Sequence, residues 1–317
     1  MNGVLVIDKP SNWTSHDVVK KVKRHFGLGK VGHAGTLDPN ATGVLVLCIG
    51  AATRFVRFLP CDPKKYRGEM ILGIRTDTLD MTGKVVAEAS SNISLEEVKE
   101  VSNQFLGHIE QIPPMVSAVK VRGTPLYVLA RQGKDIKRKP RTVEIIDLTI
   151  LELVNEGRQK VLFETICSKG TYVRALCADI GEKLGCGACL GDLTRVGSGV
   201  FKSSDSRKLD DVLRLEPEKL KQILIPLADA LTVYPAVKVK DGFKFRFLNG
   251  EFLTPQMVEM GGRIISKGEK TRILDSRNNF LGLASVDNEI STKNIRQIDH
   301  VAIRPTCVLP KEKLKDI

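Results

Sequence analysis

The sequence predicts an α+β fold, with a mixed sheet packed against helices and then a small β-rich domain. Three observations lead there. Apolar runs of strand length and amphipathic runs of helical period both occur, but without the regular alternation of a doubly wound sheet. The 317 residues exceed the usual single-domain size, so a large domain with a smaller companion is expected. After Pro235 the longer elements give way to short strand-like runs and turns. The predicted division is therefore 1–234 and 235–317, with Ile225 to Tyr234 as the connection.

The opening GVLVIDKP reads as a short buried strand ended by Pro10. Thr14 or Ser15 can cap a helix carrying Val18, Val19, Val22 and Phe26 on one face and basic residues on the other. Gly27 and Gly29 stop it. Gly27 to Gly32 matches GxGxxG in form but follows a helix, whereas the dinucleotide fingerprint requires strand, loop and then helix. Val44 to Ile49 is a buried strand, Ala52 to Leu59 a short helix, and Lys65 to Gly73 and Lys84 to Ala89 are further strands. Ser94 to Leu106 is a helix opened by a capping box of Ser94 and Glu97. The basic, proline-interrupted segment from Ile112 to Arg141 reads as an irregular lid or binding loop. Thr142 to Leu153 and Lys160 to Cys167 form a strand pair around Glu156-Gly157. Tyr172 to Leu184 is a helix with Val173, Leu176, Cys177 and Ile180 inward. In the tail, Leu248-Asn249-Gly250 and Gly261-Gly262 mark turns between short strands.

Hydrophobic content of 42% with 27% charged residues describes an ordinary soluble protein. No apolar run approaches the ~20 residues that cross a bilayer. The N-terminal MNGVLVIDKPSNWTS lacks the basic and apolar regions of a signal peptide, so a cytoplasmic location is expected. The seven cysteines are odd in number and scattered, against a disulfide scaffold. Cys186 and Cys189 form a lone CxxC without a second ligand pair and read as packing residues, so no metal is expected.

The net charge of +12 favours a polyanionic partner, because Lys and Arg on phosphates release condensed counterions. Basic residues gather around Lys20 to Lys30, at Lys64, Lys65 and Arg67, and from Arg131 to Arg141. Any one cluster reads as a solvated face; three together favour nucleic acid.

The most informative run is GHAGTLDPNATGVLVL, from Gly32 to Leu47. Asp38 stands in a loop with Gly32, Gly35 and Gly43, directly before Pro39 and an apolar strand. Glycines permit close backbone approach, and the proline biases Asp38 toward an extended conformation. The arrangement suits a reaction centre; the plainer reading is an Asx-turn. Tyr66, among Lys64, Lys65 and Arg67, suits base stacking beside phosphates or a half-buried strand position. Arg174, on the first turn of an apolar helix face, needs a carboxylate: Asp38 is the favoured partner, with Asp179 and Glu182 as poorer ones. His33 reads as a phosphate-contacting or turn residue.

Taken with KKYRGEMILG, TDTLDMTG, PPMVSAVKVRGTPLYVLARQG and SKGTYVRALCADIGEKLG, these motifs resemble, in order, those of the TruB family of tRNA pseudouridine synthases. The resemblance covers roughly residues 3 to 200. It implies the pseudouridine synthase fold with a largely antiparallel central sheet, and isomerisation of the T-loop uridine at conventional position 55 of tRNA without metal or cofactor. It implies Asp38 as the catalytic aspartate, Arg174 as its ion-pair partner and Tyr66 as the surface under the flipped base. Leu193, in GDLTRV, would line the base pocket, His33 would replace the extruded uridine in the stack, and Asp80 would contact the substrate loop. Tyr172, Lys9, Lys65, Lys120 and Arg131 complete the expected substrate contacts. The segment 112–141 would clamp RNA, and the tail resembles a PUA domain gripping the acceptor end. A monomer is expected. The family often has Tyr where this chain has Val116, which leaves the insertion's aromatic contacts open. A guide-dependent dyskerin-type synthase and a non-catalytic RNA-folding factor are the alternatives.

Overall fold

The computed structural model describes residues 1–117, 119–121, 123–134, 136–260, 264–289 and 302–312. Its first unit is built on a mixed, largely antiparallel sheet. The strands are β1 (Gly3–Lys9), β2 (Val31–His33), β3 (Thr42–Ile49), β4 (Lys64–Leu72), β7 (Gly107–Gln111), β10 (Arg141–Glu156), β11 (Arg158–Cys167), β12 (Ala188–Ser198), β13 (Phe201–Lys202) and β14 (Arg207–Lys208). The order across the sheet is β14-β1-β3-β12-β4-β11-β10-β7, with β2 on β3 and β13 on β12. Only the β1–β14 and β3–β12 pairings are parallel. Two small hairpins lie outside it: β5 (Ile74–Thr76) with β6 (Val85–Glu88), and β8 (Lys120–Val121) with β9 (Thr124–Pro125).

Helix α1 (Ser15–His25) opens with Thr14 capping Asp17 in a full capping box and buries Val18, Val19 and Val22. Helix α2 (Leu95–Asn103) opens with the predicted Ser94–Glu97 box. The segment expected to be irregular contains the β8–β9 hairpin and α3 (Leu126–Arg131). Helix α4 (Val173–Lys183) presents Val173, Leu176, Cys177 and Ile180 to the core against the sheet. The expected helix after β3 is a 3₁₀ segment, Gly50–Phe58. Short helices α5 (Leu209–Leu213), α6 (Pro217–Ile223) and α7 (Leu227–Ala230) lead out of the first unit.

Beyond them a five-stranded sheet runs β16-β15-β17-β18-β19: β15 (Ala236–Val239), β16 (Val258–Glu259), β17 (Lys270–Leu274), β18 (Phe280–Val286) and β19 (Ile303–Val308). Leu248-Asn249-Gly250 ends a helical turn, α8 (Lys244–Leu248), instead of joining two strands. Gly261-Gly262 lies outside the described residues. The two units share apolar surface. Phe55 meets Phe280 edge-on at 5.3 Å, and Tyr234 donates its hydroxyl to the Phe58 carbonyl at 2.9 Å. The connection is also tied back to β1, where Val4 and Ile225 exchange backbone hydrogen bonds of 2.8 and 2.9 Å. Among the described residues no helix is long and apolar enough to cross a membrane. All seven cysteines are free thiols; burial pushes Cys189 up to about 11 and also raises Cys177.

Candidate active site

The loop joining β2 to β3 carries Asp38, and three buried side chains from three elements hold it by its carbonyls. Ser15, at the start of α1, accepts from Leu37 N at 2.9 Å and donates to Leu37 O at 3.1 Å. Lys9, at the end of β1, donates to Pro39 O at 2.8 Å, and also to Pro10 O and Trp13 O. Arg195, on β12, donates to Gly35 O and Thr36 O, each at 3.2 Å, and to Val44 O at 2.7 Å. Two of the three predicted glycine positions need glycine. Gly35 and Gly43 both have φ +96°, and a Cβ on Gly43 would fall 2.3 Å from the Arg195 carbonyl. Gly32 instead lies in β2 opposite Cys48, without positive φ.

This arrangement corrects the expectation for Lys9. The residue is fully buried, and its ammonium protons are spent on three carbonyls, so it braces the loop and does not face a phosphate. Burial pulls its pKa down to about 8, against the raising effect of Asp38.

Arg174 reaches Asp38 from α4. Its Nε stands 2.9 Å from Oδ2, and Nη2 donates to Oδ1 at 3.2 Å. The other guanidinium contacts are Thr78 O and Val116 O, both at 3.0 Å, and Asp80 Oδ2 at 3.4 Å. Both alternative partners fall away: Glu182 pairs with Arg75, and Asp179 makes no ion pair with Arg174. The environment of Asp38 has two opposing parts. Desolvation by the surrounding protein raises its pKa above the ordinary carboxylate value, while the Arg174 guanidinium pulls it down. The net direction is upward, so Arg174 moderates the desolvation and does not outweigh it.

Asp80 sits behind this pair. Its Oδ1 accepts from Thr78 Oγ1 at 2.7 Å, from Thr82 N at 3.0 Å and from the Thr82 hydroxyl, and its Oδ2 faces Arg174. The carboxylate expected to touch substrate is thus engaged in orienting Arg174. Tyr66, buried on β4, lies opposite Arg195 of β12, and burial raises its phenol pKa. Leu193 is nearly buried in the same core cluster. Tyr66 is 6% exposed and Leu193 9%. Tyr172 caps α4; its backbone N–H and C=O exchange hydrogen bonds with the Gln111 amide, of 3.0 and 3.3 Å.

His33 and Asp38 line a cleft of about 1630 Å³, as do Arg131, Lys134 and Arg138 from the insertion. Burial lowers the pKa of His33, so its neutral form is favoured. The Arg131 guanidinium lies 5.7 Å from the Tyr127 ring centre. Lys65 corrects a second expectation. It pairs with Glu164 at 2.7 Å, as Arg67 does at 2.6 Å, because strand alternation turns both away from the Tyr66 side. The Lys120 side chain lies outside what the structure describes; its backbone pairs with Pro125.

The sequence reading missed Arg195 and Ser15. Arg195 occurs in GDLTRVGSG, a polar-looking run whose strand character comes from its central place in the sheet. Its signal was a lone basic residue beside the apolar pattern of Leu190 and Leu193.

The sequence model of the TruB family pseudouridylate synthase N-terminal domain matches residues 23–173, and that of the tRNA pseudouridylate synthase B C-terminal domain matches residues 174–232. A relative from Syntrophotalea carbinolica, tRNA pseudouridine synthase B, is 47% identical over 75% of this chain and 78% of its own. The protein of the same name from Alkaliphilus oremlandii is 45% identical over 79% of this chain and 82% of its own. Among solved structures, an H/ACA RNP bound to a substrate RNA containing 2′-deoxyuridine includes a chain that superposes with a TM-score of 0.73. That chain is 25% identical, and the match spans 98% of this chain and 86% of that one. With an Asp–Arg ion pair on the predicted motifs, this sheet topology and matches of this extent, the chain belongs to the TruB family of pseudouridylate synthases.

Proposed function

We propose that the protein isomerises the T-loop uridine at conventional position 55 of tRNA to pseudouridine, without a guide RNA, metal or cofactor. One observation carries this reading: Asp38, ion-paired with Arg174, lines a cleft that Arg131, Lys134 and Arg138 also line. The reaction breaks the N1–C1′ bond, turns the freed uracil and joins C5 to C1′. The C5 proton leaves and N1 gains one, so atoms and electrons balance without an external oxidant or reductant. The target atoms are inaccessible in a stacked loop, and flipping the base costs a few kcal/mol. His33, entering the vacated stack, and Tyr66, beneath the flipped ring, offset that cost.

Asp38 acts ionised in either available route, by attack at C1′ or by removal of a sugar proton. Arg174 orients it, and Asp80 with Thr78 orients Arg174. Arg131 and its basic neighbours in the insertion hold the phosphate backbone of the T-arm. The division into a catalytic unit, 1–234, and a PUA-like unit, 235–317, fits a monomer that spans the tRNA elbow, with the second unit toward the acceptor end. The cytoplasm is the compartment in which this reading places it. The solved RNP shares the fold, but the close relatives carry the name of a tRNA enzyme, which favours the guide-free reading.

The experiment is conversion of an unmodified tRNA transcript with no guide RNA added, mapping pseudouridine by carbodiimide-dependent primer-extension stops. Modification confined to position 55 supports the reading. Conversion that requires a guide RNA, or none under any condition, refutes it.

A further inference from the structure

Alternation along β4 leaves one cation without an assignment. Lys65 and Arg67 face Glu164, whereas Lys64 shares the side of Tyr66 and turns inward beside the Asp38 loop. A Cβ built on Gly35 would lie 3.3 Å from Lys64 Cε, 3.6 Å from Lys64 Nζ and 3.7 Å from Arg195 Nη1. An ammonium and a guanidinium thus converge on the same stretch of bare backbone. Among the described residues, no carboxylate forms an ion pair with Lys64 or Arg195. The hydrogen bond from Lys64 is a long one, 3.4 Å to the Cys61 carbonyl, and the Arg195 donors go to carbonyls.

Two like charges in partly desolvated space are unfavourable without a counter-anion. Burial lowers the pKa of Lys64, and the Arg195 guanidinium lowers it further. Nearby Asp62 is exposed and opposes that shift only in part. Gly35 lies in the chain between His33 and Asp38, which both line the cleft, and Lys64 beside it is only half-buried, whereas Arg195 behind it is fully buried. Its missing side chain keeps the approach open.

We propose that Lys64, over the bare backbone of Gly35 and backed by Arg195, binds a phosphodiester of the substrate RNA next to the flipped nucleotide. This rests on the RNA-isomerase reading above. A phosphate there supplies the anion that the protein omits, and fixes the register of the loop over Asp38. Lys64 is then a substrate-binding residue whose effect falls on capture of RNA.

The test combines Lys64→Gln and Lys64→Arg with a T-arm hairpin carrying one methylphosphonate at each loop linkage in turn. Lys64→Gln should raise KM about tenfold with kcat within about twofold, and Lys64→Arg should recover most of the loss. The slope of log affinity against log salt should fall by about one for Lys64→Gln. One methylphosphonate should weaken wild-type binding as much as Lys64→Gln does, and weaken the variant no further. Wild-type activity with additive losses at every linkage, or a variant that loses thermal stability and kcat but not affinity, overturns the phosphate site alone. A wild type that makes no pseudouridine in this RNA removes the functional reading and this inference with it.

Discussion

Arg174 Nε lies 2.9 Å from Asp38 Oδ2, with the Arg174 side chain 4% exposed and that of Asp38 42% exposed. The pair is therefore asymmetric. The cation is locked inside by carbonyls from two other segments, and the anion looks into the cleft. The Nε–H makes no hydrogen bond, so the contact at that atom is an ion pair off the hydrogen-bonding line. A buried charge that holds an open one has little freedom to tolerate substitution.

Arg174→Lys keeps the charge but loses the planar fork that serves Asp38, Thr78 and Val116 together. Its kcat should fall about 10²-fold with little change in KM, measured by steady-state pseudouridine formation. Arg174→Met strands Asp80 and Asp38. It should cost about 2–3 kcal/mol in urea unfolding, at the low end for a broken ion pair because Asp38 is partly solvated.

The pH dependence follows from the direction of the Asp38 shift. Its folded pKa is raised above 3.8, chiefly by burial, and the reaction needs the ionised form. The rate should therefore rise with pH through an inflection above 3.8, seen in kcat/KM. The linkage has the opposite sign. A raised carboxylate pKa stabilises the fold at low pH, and that contribution is lost as pH rises through the folded pKa. Asp38→Asn should therefore unfold at no lower temperature than wild type near neutrality.

Lys9 offers a test of the bracing role. Lys9→Met leaves three carbonyls without their donor and should cost about 2–4 kcal/mol. The folded pKa of about 8 lies below the ordinary 10.5, so across that window the unfolded chain holds a proton that the folded chain lacks. The stability gap between wild type and Lys9→Met should therefore widen as pH rises from about 8 toward 10.5, by denaturant titration at each pH. A gap that narrows would place Lys9 elsewhere.

Gly43→Ala should be far more damaging than Gly32→Ala. The first forces a side chain into positive φ and against the Arg195 carbonyl at 2.3 Å; the second meets nothing closer than Thr53 at 3.9 Å. A loss of about 3 kcal/mol or more against one below about 1 kcal/mol is expected in thermal unfolding.

Where a local rule matched the environment, the sequence reading was legible in the structure. Ser94 and Glu97 formed their box because capping is satisfied within four residues. Arg174 found Asp38 because an arginine on an apolar helix face requires an acid. The failures share a cause in long-range geometry. Lys9 and Lys65 looked like free cations, but one is enclosed by the chain returning from Pro39 and the other faces Glu164 across a strand pair. Strand β12 was unreadable because Gly191, Asp192 and Gly197 weaken the apolar pattern, and neighbouring strands supply its order. Arg195 was hidden with it. Alternation along KKYRG separates Lys64 from Lys65, and that signal needs only the strand assignment.

On the function proposed, Asp38 performs the chemistry and the rest of the site positions it. The most direct measurement is tritium release from tRNA labelled at uridine C5, under single turnover with saturating enzyme, for wild type and Asp38→Asn. Asp38→Asn should lose about 10³-fold or more in rate, with tRNA affinity and its salt dependence retained. Release by Asp38→Asn at the wild-type rate would contradict it.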